Sequence, residues 1–174
     1  MTRLSTFADP RAAAEHAAAE IARVLNEALE RRGVAHVSLA GGNSPRPAYT
    51  MLAGLLDDWS AVELWYGDER CVPPEDPESN HKLVADSLLA HIQGPAQPTE
   101  HRVLGELGPE EAARAYATQL RERVAPAEEG GAGGRVGGVP SLDVALLGLG
   151  EDGHTASLFP GNPAVEDTSG ALCL

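Results

Sequence analysis

Lysine is nearly absent. Of the 13 basic residues in this 174-residue chain only Lys82 is a lysine, and 26 acidic residues bring the net charge to −13. A chain this acidic lacks the basic surface that nucleic acid or an anionic membrane would need. Cysteine is scarce too. Cys71 and Cys173 are too few for a disulfide scaffold and show no CxxC or Cys/His metal spacing. Cys71 reads as a small buried residue rather than a nucleophile, since no histidine adjoins it in sequence. No apolar run approaches a membrane span, and residues 1–10 carry no charged-then-apolar signal pattern. The expectation is a soluble, cytoplasmic protein. Aromatics make up only 4% of the chain, so the core is expected to rest on Leu, Val, Ile and Ala. What remains, 43% hydrophobic and 22% charged residues, is ordinary for a globular chain. The length suits one domain with a sizeable core.

The order of elements points to an α/β fold. Asp9-Pro10 reads as a cap and first residue of a helix that runs through Ala-rich sequence to Arg32, with Gly33 as its stop. Residues 34–40 read as a strand, ending at Gly41-Gly42-Asn43-Ser44-Pro45. Ser44 is expected to cap a second helix over 45–56. A strand over 61–66 ends at Gly67-Asp68-Glu69-Arg70, and a helix capped by Ser79 follows over 79–89. A short strand is expected near Arg102-Val103-Leu104, then a helix over 109–124 with Glu110 and Glu111 in its first turn. Residues 125–140 hold six glycines and read as a flexible linker. The apolar run 142–147 reads as a buried strand leading into Gly148-Leu149-Gly150-Glu151-Asp152-Gly153-His154, after which a helix could begin. Strands alternating with helices predict a Rossmann-like parallel sheet flanked by helices, in a single domain over 1–174.

Three of these strands end in loops of unusual composition, and in a parallel sheet the strand C-terminal ends share one edge, where ligands bind. The loops should therefore converge. Glycines at Gly41 and Gly42 allow close approach, and free N–H groups at a helix start suit a phosphate. Arg70 offers a planar fork for an oxyanion. Asp68 could bind sugar hydroxyls or orient a base, and Asn80 could do either. His154 follows Gly-Asp-Gly at a strand end, and Asp152 could hold one ring nitrogen while the other accepts a proton. A serine triad lacks its Gly-x-Ser-x-Gly elbow, and a metal would need more clustered donors than the sequence shows. The residues thus point to a strand-edge site for a small anionic ligand with a histidine base, without naming the reaction.

At Ser38-Leu39-Ala40-Gly41-Gly42-Asn43-Ser44-Pro45, Trp65-Tyr66-Gly67-Asp68-Glu69-Arg70-Cys71-Val72-Pro73 with Ser79-Asn80, and Gly148 through His154-Thr155-Ala156-Ser157-Leu158-Phe159-Pro160-Gly161, the chain resembles the 6-phosphogluconolactonase family. His101-Arg102 and Glu110-Glu111-Ala112-Ala113 also fit its middle region. The resemblance implies an α/β sheet shared with glucosamine-6-phosphate deaminases and ribose-5-phosphate isomerases. It implies hydrolysis of 6-phosphoglucono-δ-lactone, a phosphosugar lactone of the oxidative pentose phosphate pathway, with no metal or other cofactor. It places the general base on His154, its supporting acid on Asp152, the phosphate arginine on Arg70 and the substrate loop on Gly41, Gly42, Asn43 and Ser44. The related deaminases carry a catalytic glutamate just before the Pro-Gly. Here that position is Phe159, whose ring does no acid–base work.

Beyond Pro160-Gly161 the family continues for several strands and helices and supplies a later basic residue to the phosphate. Residues 162–174 read as an atypical tail without that residue. The expectation is a C-terminally truncated member of the family. The alternatives are a non-catalytic remnant or a deaminase-like enzyme.

Overall fold

The computed structural model describes residues 3–126 and 138–174. Its first helix, α1 (Pro10–Arg32), has the expected bounds. Asp9 accepts a hydrogen bond from the Ala12 N–H at 2.8 Å, and Gly33, at φ 73°, donates its N–H to Leu29 O. A side-chain acceptor at one end and a left-handed residue at the other satisfy groups the helix cannot. There follow β1 (Ala35–Leu39), α2 (Arg46–Leu52), β2 (Val62–Tyr66), α3 (Asn80–Ser87), β3 (Thr99–Glu100), α4 (Pro109–Arg123) and β4 (Val144–Ala145). The strands form one sheet in the order β3-β2-β1-β4, and every pairing is parallel. This is the α/β fold read from the sequence.

The two central strands are buried almost throughout, and their faces differ in chemistry. The register sets Ala35 beside Val62, Val37 beside Leu64 and Leu39 beside Tyr66. Because side chains alternate along a strand, these share one face. That face packs with Ile21 and Leu25 of α1 and with Tyr49 and Leu52 of α2 into the main core. The opposite face carries His36, Ser38, Glu63 and Trp65. Trp65 stacks on His101 with ring centroids 4.0 Å apart and meets Tyr116 of α4 edge-on at 5.8 Å. His101 hydrogen-bonds Glu63, and the Trp65 indole donates to His36 Nδ1 at 3.2 Å. Five of the seven aromatics are spent inside. Tyr49, Trp59, Trp65, Tyr66 and Tyr116 are all buried, so the core does not rest on aliphatic residues alone.

That buried histidine makes stability pH-dependent. Burial lowers the pKa of His36, with Arg32 and His101 adding to the effect and the carboxylates of Glu63 and Asp143 opposing it. The unfolded chain therefore binds a proton at a higher pH than the folded one. Stability is full above the unfolded value and falls as pH drops from there through the folded value. The melting temperature is expected to fall between about pH 7.5 and about pH 5.5, a window that brackets an unperturbed histidine. The fall should shrink in His36→Gln, as measured by circular dichroism melts across the range. An equal pH slope in both proteins would assign the effect elsewhere.

Several local expectations change. Ser44 does not cap α2. Pro45 occupies that place in helical conformation without a side-chain bond, and the helix ends at Leu52 rather than 56. The short strand lies at Thr99–Glu100, ahead of Arg102-Val103-Leu104, because Thr99 and Glu100 are the residues that reach the ladder of β2. The apolar run 142–147 pairs as a strand only over Val144–Ala145, at the edge of the described sheet. It is not buried: Leu147 and Leu149 are 66% and 83% exposed. No helix follows His154; a turn over 155–158 and a 3₁₀ turn at Pro163–Glu166 stand there instead. Cys71 is exposed, not buried. Of the expected linker, residues 127–137 lie outside the described residues, and Pro126 bridges Pro140 antiparallel across them.

Candidate active site

The three strand-end loops converge on one cavity of about 230 Å³. Gly41, Gly42 and Ser44 reach it from the end of β1; Gly67, Asp68 and Arg70 from the end of β2; Gly148, Gly150, His154 and Ala156 from beyond β4. Parallel pairing of β1 with both neighbours brings these ends to the same edge.

Each loop is held at its root. The buried Tyr49 hydroxyl donates to Ala40 O at 2.7 Å and accepts from the Ala40 N–H at 2.8 Å, fixing the chain just before Gly41-Gly42. Burial pushes the Tyr49 phenol up, so it stays a neutral donor. Beyond β2, the Glu69 carboxylate accepts hydrogen bonds from the backbone N–H groups of Asn80 (2.7 Å) and His81 (2.9 Å) and from the Ser79 hydroxyl (3.1 Å). A carboxylate thus occupies the electropositive start of α3, where charge and free N–H groups favour an anion. Arg70, its neighbour, donates from Nη1 to Glu78 O at 2.9 Å and is the arginine on the cavity wall.

In the third loop the His154 ring lies beside Asp152, with Nδ1 and Oδ1 2.5 Å apart. The same oxygen accepts the His154 backbone N–H at 3.2 Å. Hydrogen bonding from the histidine holds the exposed Asp152 carboxyl below the usual carboxylate range. An ionised acceptor on Nδ1 fixes that nitrogen as the N–H donor and leaves Nε2 as the basic one. Phe159 lies against the same ring, centroids 4.5 Å apart.

Two expected residues take other places. Asn43 does not line the cavity; its side chain accepts from Arg46 Nε at 3.2 Å. Asn80 is 2% exposed and also off the wall, its amide donating to Asp68 O (2.9 Å) and Oδ1 (3.1 Å). Asp152, not Asp68, contacts the His154 ring. Sequence reading missed Glu69, Tyr49 and Gly150. A Cβ on Gly150 would overlap His154 Nδ1 and Cε1 and crowd Asp152 Oδ1. The signal for Gly150 was present, as a glycine four residues before the histidine. Tyr49 gave none, since an aromatic on a helix face reads simply as core. Among the described residues, no cluster of three or more His, Cys, Asp or Glu could hold a metal, and no helix is long and apolar enough to cross a membrane.

Comparison with known proteins agrees with this geometry. Residues 8–174 match a family model described as glucosamine-6-phosphate isomerases/6-phosphogluconolactonase. A 6-phosphogluconolactonase of Rhizobium meliloti is 39% identical over 92% of this chain and 62% of its own length. One of Streptomyces coelicolor is 38% identical over 95% of this chain and 64% of its own. The crystal structure of a 6-phosphogluconolactonase from Shewanella baltica superposes on the whole chain, and on 69% of its own, with a TM-score of 0.82 at 30% identity. The Trypanosoma brucei 6-phosphogluconolactonase structure gives 0.78 at 28% identity, covering 97% of this chain and 67% of its own. The chain spans just under two thirds of the length of these curated relatives. With the overall fold and the sequence match in agreement, the chain belongs to the glucosamine-6-phosphate isomerase/6-phosphogluconolactonase family.

Proposed function

We propose that the chain hydrolyses 6-phosphoglucono-δ-lactone to 6-phosphogluconate, with His154 as general base. The observation that carries the reading is His154, paired with Asp152, on the wall of a cavity that also presents Arg70 and the Gly41-Gly42 loop. A lactone is an activated ester, so an activated water is sufficient and no covalent nucleophile is needed. Nε2 of His154 takes a proton from water as its oxygen attacks the lactone carbonyl. The tetrahedral oxyanion is stabilised by backbone N–H donors at the cavity wall. As the bond from that carbon to the ring oxygen breaks, the Nε2–H returns its proton to the leaving oxygen. The new carboxylic acid then ionises. Asp152 stays ionised and steadies the imidazolium between the two transfers. Arg70 receives the substrate phosphate through its planar fork. Deamination of an amino-sugar phosphate fits less well, because the apolar Phe159 ring lies on His154.

The test is a comparison of two substrates. The parent chain is expected to open the phosphorylated lactone well above the uncatalysed rate. Arg70→Ala should lose ~10²-fold in kcat/KM on it, the scale of a lost charge-assisted pair, but no more than about threefold on the unphosphorylated lactone. Equal losses on both would assign Arg70 to the carbonyl or the fold. Absence of hydrolysis by the parent would overturn the lactonase reading for this chain.

A further inference from the structure

One line of contacts, two of its links hydrogen-bonded, crosses all three loops of the cavity. Asn80 is its buried anchor. A Cβ on Gly41 would collide with the Asn80 amide, so the first loop lies directly on this side chain. Asn80 Nδ2 grips both the carbonyl and Oδ1 of Asp68, fixing the second loop. Asp68 Oδ2 then accepts the Ser157 hydroxyl at 2.6 Å, reaching the third. Ser157 stands three residues beyond His154. Among the described residues, this is the one hydrogen bond that joins residues 148–174 to the part of the molecule before them. The others there close within that stretch, among them Gly150 N–H to His154 O, Gly153 N–H to Gly150 O, Leu158 N–H to Thr155 O and Val165 N–H to Asn162 O.

The backbone beside Ser157 is held against its preference. Ala156 sits at φ 50°, the only non-glycine residue in the left-handed region among those described. A Cβ there crowds the backbone, and such a conformation persists only where the surroundings enforce it. The turn closed by Leu158 and Thr155 on one side and the bond to Asp68 on the other supply that enforcement.

We propose that Ser157 is a positioning residue: by bonding Asp68, itself clamped by Asn80, it pins the loop that carries His154 over the cavity. This rests on the lactonase reading for its effect on rate, but not for the tether itself. Asp68 is thereby a strut between loops rather than a ligand for sugar hydroxyls. Positioning matters because a general base must be held within a fraction of an ångström of its productive place.

The experiment compares Ser157→Ala and Ser157→Thr with the parent chain, reading lactone hydrolysis, thermal unfolding and backbone hydrogen exchange over 148–159. In Ser157→Ala, kcat should fall ~10-fold with KM within about twofold, since the substrate itself loses no contact. Exchange across the segment should quicken about 10-fold, while the melting temperature stays put, because Ser157 is exposed and the opening is local. Ser157→Thr, which keeps the hydroxyl, should restore both readouts to within about threefold. Unchanged exchange in Ser157→Ala overturns the tether whatever the rate does. A rise in KM at constant kcat overturns it in favour of direct substrate contact. If the parent hydrolyses no lactone, the lactonase reading falls, and exchange alone decides the tether.

Discussion

His154→Ala is expected to lower lactone hydrolysis by ~10²–10⁴-fold, the usual worth of one positioned acid–base group. Stability should change by no more than about 0.5 kcal/mol, because the ring is partly exposed and anchors no core packing. The two outcomes are read by initial rates on the phosphorylated lactone and by a thermal melt of the same sample. Asp152→Asn tests the other half of the pair. The ring then faces an amide, which stabilises an imidazolium less than a carboxylate does and leaves the Nδ1 proton less firmly placed. A loss of ~10–10²-fold in kcat is expected, smaller than for His154→Ala because the base remains. Full activity in His154→Ala would remove the histidine from the chemistry.

Gly150→Ala should cost nearly as much without removing any group that reacts. The new Cβ would fall on the His154 ring at Nδ1 and Cε1 and close to Asp152 Oδ1. Gly150 is not in the left-handed region, so its backbone tolerates alanine. The ring is the part that must yield, and being at the surface it can swing aside at little cost to folding. The base then leaves both its carboxylate and its place over the cavity, and a displacement of about 1 Å costs about 10²-fold in rate. The expected signature is an unchanged melt together with kcat reduced ~10²-fold, and with it loss of the steep effect of Asp152→Asn when the two changes are combined. If Gly150→Ala retains full activity, the ring is free to find its working position elsewhere.

The fold was legible wherever a short-range rule decides it. Asp9-Pro10, Gly33 and Ser79 announce helix ends because capping is local chemistry, and α1 and α3 begin where those residues place them. Strands β1 and β2 were legible because each is a short, mostly apolar stretch that stops at a glycine turn. The run 142–147 is equally apolar, yet only two of its residues pair, and while Leu146 packs against the core Leu147 faces outward. Apolar character reports a preference for burial, not whether a neighbour exists to provide it. At the site, the motifs marked which loops meet, since sheet topology follows from element order. They did not mark which side chains turn inward. Asp68, just past β2, and Asn80, at the start of α3, look alike in sequence as polar residues at an element's end, but Asn80 is interred and Asp68 lies on the wall. That division comes from the packing of Asn80 against Gly41, a contact between residues 39 positions apart that no local pattern encodes.

The two tryptophans of the chain, Trp59 and Trp65, are both buried, one just ahead of β2 and the other within it. Both indoles therefore belong to the centre of the sheet, and neither lines the cavity. Intrinsic fluorescence accordingly watches the scaffold and is silent to the histidine loop. Trp65, stacked on His101 and hydrogen-bonded to His36, should change its emission when the sheet opens or the His36 imidazole takes up a proton. A protein whose base loop has come loose keeps the parent spectrum, so one cuvette distinguishes a disordered site from a disordered fold.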